Sequence, residues 1–159
     1  MTTAIQDQTA NRSCYGCGAE NPHGLQLKSV MVGDEAKASF QPKPFHTGGF
    51  PGHVYGGLIC SLLDCHSANF AIAWFYADEK RPIGTEPLIH CVTAQLNISL
   101  LKPARIDLPI ELSAEMKSVE GRKMWVRAQA FSGGEKCADA EILAVRLKPE
   151  QAEAMLSKS

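Results

Sequence analysis

The amino-acid sequence predicts an α+β domain in which one long apolar helix lies against a single curved antiparallel sheet of about six strands. Three observations lead there. A loop dense in glycine and proline, residues 46–57, runs directly into a stretch, 58–75, that is apolar nearly all round, as a helix buried on several sides must be. Two short segments of alternating polarity precede that helix and four longer ones follow it. Helix and strands are segregated along the chain, and that order marks the α+β class.

Residues 1–13 are polar and expected to be mobile, 14–148 form the single domain, and 149–159 make a polar tail with at most one loose helical stretch. Asn21-Pro22-His23-Gly24 reads as a turn. Residues 25–30 alternate as a first strand, Gly33-Asp34-Glu35 turns the chain, and residues 36–41 return as a second strand. Gly56 and Gly57 open the helix, which is expected to end near Phe75, before the turn Asp78-Glu79-Lys80-Arg81-Pro82. The third strand spans about 88–102, with Val92, Ala94, Leu96, Ile98 and Leu100 on one face and Thr93, Gln95, Asn97 and Ser99 on the other. A fourth, about 108–119, puts Leu108, Ile110, Leu112, Ala114 and Met116 on one face. Gly121-Arg122 and Gly133-Gly134 are hairpin turns that separate a fifth strand, 123–132, from a sixth, 136–147.

With 159 residues the chain is one domain long and large enough for a true core. Sixteen basic residues against seventeen acidic ones leave no broad cationic face, which argues against nucleic acid as a partner. The first thirteen residues lack the apolar stretch of a secretion signal. Asp64, His66, Ser67 and Asn69 interrupt the apolar helix and argue against a membrane span. A cytoplasmic protein is the expectation.

Six cysteines stand at 14, 17, 60, 65, 91 and 137. No disulfide framework follows, since free cysteine packs well as a small apolar side chain. Cys14 and Cys17 form a CxxC pair with His23 six residues on, a partial zinc set, but no second pair stands at metal spacing. An ordered loop packed by small residues is the expectation, without metal or organic cofactor.

Asp64 is the one acidic residue of the helix before its last turn, and a carboxylate on such a helix needs partners. An acid on a buried helix that opens on glycines suggests a catalytic site. Alternation points Thr93 away from Val92 and Ala94, so it reaches Asp64 only if those two turn away from the helix there; a solvated threonine is the other reading. His46 and His53 flank the glycine loop and are either substrate contacts or exposed loop residues. His66, two positions beyond Asp64, points elsewhere and reads as structural. Lys102, Arg105, Arg122 and Lys123 stand at strand ends, as solvated charges or as anchors for phosphate groups. Phe70, Trp74, Phe75 and Tyr76 are either the floor of a pocket or ordinary core.

The segment Pro51-Gly52-His53-Val54-Tyr55-Gly56-Gly57, followed by Leu62-Leu63-Asp64, resembles the P-G-x-x-H-G-G loop and helical L-x-D of the hotdog-fold PaaI-like acyl-CoA thioesterases. Residues 96–104, Leu-Asn-Ile-Ser-Leu-Leu-Lys-Pro-Ala, resemble that family's long strand, Asn97 included, and Gly121-Arg122 its turn before the penultimate strand. Residues 14–25 are similar to a branch of the same group. The resemblance spans about 14–147. It departs at Tyr55, where the family usually has histidine, and the loop carries one extra glycine in residues 46–50.

The resemblance implies a hotdog fold and hydrolysis of an acyl-CoA thioester. It assigns the general base or nucleophile to Asp64, the oxyanion-binding amide to Gly56 with Gly57 beside it, and a water-orienting hydroxyl to Thr93. His46, His53, Tyr55, Asn97, Arg122 and Lys123 are the candidate substrate contacts: the histidines from their place beside the glycine loop, the two cations from theirs at a strand end, and Tyr55 and Asn97 from the motifs the resemblance rests on. Gly56 and Asp64 stand about 12 Å apart along one helix, too far to grip one thioester carbon. Two antiparallel helices of a two-fold pair would bring the acid of one copy to the amide of the other. The resemblance implies the same homodimer with shared sites, often doubled into a tetramer. A hotdog hydratase or dehydratase and a non-hydrolytic acyl-CoA binder are the rival readings; the first wants a histidine partner for the acid, which Tyr55 does not supply.

Overall fold

The computed structural model of the protein describes residues 2–158. Along the chain they form α1 (Ile5–Gln8), β1 (Ser29–Val32), β2 (Glu35–Phe40), a single 3-10 turn at Pro44–His46, α2 (Gly56–Asp78), β3 (Cys91–Leu100), β4 (Ile110–Glu120), β5 (Lys123–Ser132), β6 (Glu135–Arg146) and α3 (Pro149–Leu156). The six strands pair antiparallel in the order β1-β2-β4-β5-β6-β3. α2 packs against every one of them. This is the hotdog arrangement of the expected α+β class.

The sequence explains why the helix fits so closely. Its buried side chains, Leu58, Ile59, Leu62, Leu63, Phe70, Ile72, Phe75 and Tyr76, come from several sides of the helix. The sheet answers with small ones: Ala36, Ala38, Ala114, Ala128, Ala130, Ala138, Ala140 and Ala144 are all buried. Alternation on β5 is strict, with Met124, Val126, Ala128 and Ala130 buried between less buried neighbours. Methyl groups on the sheet let the large residues of α2 fill the space between, which is how a core reaches close packing. By length and hydropathy α2 would suffice to cross a bilayer, yet two thirds of its most apolar stretch is buried inside the domain (67%).

Several expectations need correction. α2 runs three residues past Phe75, to Asp78. The first strand begins at Ser29 because Leu25 and Leu27 are already engaged: their N–H groups donate to the carbonyls of Tyr15 and Gly16. The N-terminal segment expected to be mobile is anchored: Ile5 is buried, and Gln6 exchanges hydrogen bonds with the hydroxyl and the backbone N–H of Ser29. The helical stretch allowed for the C-terminal tail is present as the eight-residue α3. Leu108 lies outside β4, and Met116 is exposed where the β4–β5 register slips between Met116 and Ser118.

A buried polar chain crosses the core. Gln6 donates to the Ser29 hydroxyl (3.0 Å), which pairs with Nδ1 of His66 (2.8 Å), while His66 Nε2 lies 3.2 Å from the Ala36 carbonyl. A carbonyl only accepts, so Nε2 carries the proton and Nδ1 accepts from Ser29. His66 is thus the structural residue expected.

Candidate active site

Asp64 projects from the middle of α2 and is half-buried. Thr93, near the start of β3, donates its hydroxyl to Asp64 Oδ1 at 2.5 Å. The obstacle raised by alternation is removed by a β-bulge. Thr93 pairs with Ala144 and Gln95 with Leu143, leaving Ala94 as an extra residue. Ala144 faces the helix, so Thr93 does too, and beyond the bulge Leu96, Ile98 and Leu100 face that same side opposite Ile142, Ala140 and Ala138. One inserted residue reverses the parity of the strand. Because Oδ1 is engaged by Thr93, Oδ2 is the oxygen left for a reacting group. Ser67, one turn further on, is fully buried with its hydroxyl unpartnered among the described residues.

The other pole of the site is the opening of α2. Tyr55 occupies the cap position of this helix, and its side chain makes no capping hydrogen bond. The N–H groups of a first helical turn have no partners within the helix and carry the positive end of its dipole. Gly56 lies against the end of β3, where a Cβ would stand 2.8 Å from Leu100 Cδ1. Gly57 is covered by the Tyr55 ring, which leaves 2.4 Å to the nearest ring carbon for a Cβ. A side chain at either glycine would have to push aside the end of an exposed neighbour, Leu100 at Gly56 and the Tyr55 ring at Gly57. The preceding loop is pinned by hydrogen bonds from Tyr55 N to the His46 carbonyl and from Val54 N to the Ala104 carbonyl, both 2.9 Å.

A cleft of about 610 Å³ opens beside this turn, walled by Tyr15, His23, His46, Tyr55, Gly57 and Ser61 among others. His46 thus reaches the cleft, where its ring meets Phe40 at a tilt and Phe45 edge-on and accepts from the Lys43 N–H. Burial, aided by the Lys43 charge, lowers its pKa. His53 holds the Pro51 carbonyl through Nδ1 and lies on the other side of the loop, in a hollow with Phe50 and Pro103.

Three predicted contacts are not brought to Asp64 within the chain. Asn97 is exposed and lines a groove on the sheet's outer face with Arg127, Gln129 and Asp139. Arg122 braces the C-terminus, donating to the Arg146 carbonyl (2.7 Å) and reaching Gln151 of α3. Lys123 stands exposed at the same turn. Phe70, Phe75 and Tyr76 are core, Tyr76 donating to the Thr85 carbonyl and accepting from the Ile89 N–H.

Sequence reading missed one cluster. Cys14, Cys17 and Cys65 bring their sulfurs within 4.8 Å of one another. Hydrogen bonds from Cys65, Asn69 and Cys14 lower the Cys17 thiol to about 6 against the opposing effect of burial, while the Cys65 thiol is raised by its bond to Cys17 and by burial. The CxxC pair was visible in the sequence; its third member lies 51 positions after Cys14, and only the packing of the loop on α2 unites them.

A sequence profile of the thioesterase superfamily matches residues 51–138, a span that includes the second half of the glycine loop, α2, Asp64 and Thr93. The chain belongs to the thioesterase superfamily. Within it, the acyl-coenzyme A thioesterase THEM4 of Mus musculus is 30% identical over 108 residues, which are 67% of this chain and 41% of that protein. The chain thus spans well under half the length of the curated relatives it matches. Among solved structures, a thioesterase superfamily protein from Shewanella loihica PV-4 is 39% identical, with 82% of this chain and 98% of that one covered and a TM-score of 0.62. The PaaI protein of E. coli, from a phenylacetic acid degradation operon, shares the fold at 13% identity, with 78% and 81% covered and a TM-score of 0.64.

Proposed function

We propose that this protein hydrolyses an acyl-CoA thioester, with Asp64 as general base or nucleophile and the helix-opening amide of Gly56 holding the oxyanion. The observation that carries the reading is the Thr93–Asp64 hydrogen bond. It fixes one carboxylate oxygen and leaves the second to draw a proton from water or to attack the carbonyl carbon. The helix dipole and its first-turn N–H groups supply the complementary charge. The 30% identity to an acyl-coenzyme A thioesterase supports the substrate class.

The site is completed by a second copy. β3 runs antiparallel to α2: Thr93 stands beside Asp64, and Leu100 beside Gly56. A two-fold axis through the middle of β3, near Leu96 and Asn97, would set Asp64 of one copy opposite Gly56 of the other. β3 is an edge strand ten residues long, with Leu96 and Leu100 exposed on it at 44% and 53% and Leu101, just past its end, at 54%. A long apolar edge of this kind invites strand pairing.

The test is free-thiol release from a panel of acyl-CoAs by the wild type, Asp64→Ala and Asp64→Asn. Release by the wild type and its loss in both variants is the expected outcome. Loss of enoyl absorbance without free thiol would replace hydrolysis by hydration, and tight binding with neither signal would reduce the protein to a carrier.

A further inference from the structure

The cysteine cluster between the loop before β1 and α2 has the geometry of a metal site. Cys14 and Cys17 come from the loop before β1 and Cys65 from α2; the Cys14 and Cys65 sulfurs are 3.7 Å apart, and all three lie within 4.8 Å of one another. Thiolates bound to a tetrahedral zinc ion at about 2.3 Å lie about 3.8 Å apart, so the three sulfurs already stand near the corners of such a site. A disulfide would need two of them to close to about 2.05 Å and would leave the third unused.

The surroundings are built for that approach. Gly16, between the two loop cysteines, sits so close to α2 that a Cβ would fall 2.2 Å from Cys65 Sγ. Gly18 is equally confined, and its N–H closes the loop onto the Cys14 carbonyl at 2.8 Å. Asn69, a buried amide one turn beyond Cys65, donates to Cys17 Sγ (3.4 Å) and to the Cys65 carbonyl (2.8 Å). Outer partners of this kind orient metal ligands and tune their charge. Cys17 is buried, and Cys14 and Cys65 are partly buried.

We propose that Cys14, Cys17 and Cys65 bind one zinc ion as thiolates, with water or a solute in the fourth position. Each sulfur binds as a thiolate and gives up its S–H proton where it still carries one, so the ion and its three thiolates carry one net negative charge. The role is structural. The ion ties the loop to α2, and that loop supplies Tyr15, His23, Gly24 and Leu25 to the wall of the cleft.

The test uses the full chain, reduced and stripped of metal, titrated with Co(II) and then Zn(II). The expected result is one equivalent of Co(II) with a thiolate charge-transfer band, displaced by Zn(II). The band is lost in Cys14→Ser and Cys17→Ser and kept in Cys137→Ser, whose sulfur is buried elsewhere. Asn69→Ala weakens binding about 10–100-fold. As a control independent of the folding of any variant, the wild type is also reacted with a thiol reagent with and without Zn(II): three of the six thiols are protected, and a chelator restores them. Absence of the charge-transfer band, its persistence in both serine variants, or equal reactivity of all thiols with and without Zn(II) overturns the proposal.

Discussion

Thr93 and His66 place the same demand on a side chain, one hydrogen bond in a fixed direction, for different ends. Thr93→Val removes the donor to Asp64 with almost no change of volume. A hydrogen bond to a charged group is worth about 1.5–3 kcal/mol, so kcat is expected to fall roughly 10–100-fold with little change in KM; Thr93→Ser retains most of the rate. His66 bears on stability. Burial, with Lys37 adding repulsion and the Ala36 carbonyl opposing both, lowers its pKa from 6.5 to about 4. The unfolded chain then binds the proton more readily than the native one. The stability held by neutral His66 is therefore fully present above pH 6.5 and is lost as pH falls toward 4, to a total of about 3 kcal/mol. Urea midpoints measured from pH 7 to pH 4.5 should fall along that window, and His66→Gln should flatten the slope.

At the scale of elements, the alanine-lined face of the sheet sets how near α2 approaches. Ala128 on β5 lies between Ala114 on β4 and Ala140 on β6, all buried against the helix. Ala128→Leu forces extra volume into that contact, and the expected cost is about 1–3 kcal/mol, read as a lower urea midpoint at unchanged slope. Elements also divide what sequence reveals from what it hides. The glycine loop, α2 and the β4–β6 hairpins were legible because their signals are local: glycines at turns, alternation between them, and an apolar run too long for a strand. The side on which Thr93 falls was not legible. It depends on Ala94 bulging out of register with β6, which pairing some fifty residues away decides. Arg122 likewise looked free at its turn until α3 folded over it.

At the scale of the whole molecule, the proposed division of labour between two copies has a direct test. Gly56 is the first helical residue, where proline is tolerated and removes the N–H. Tyr55 before it, at φ −60° and ψ 126°, already has the extended backbone that a following proline requires. Gly56→Pro and Asp64→Ala are each expected to be nearly inactive alone. Unfolded together and refolded, they should recover about a quarter of the wild-type rate, since half of the random pairs hold one intact site of two. Recovery would fail if each chain used its own acid and amide. The uncovered leucines of β3 carry a consequence of their own. A reaction centre divided between copies exists only while the copies are together, so dilution should switch it off without unfolding either chain.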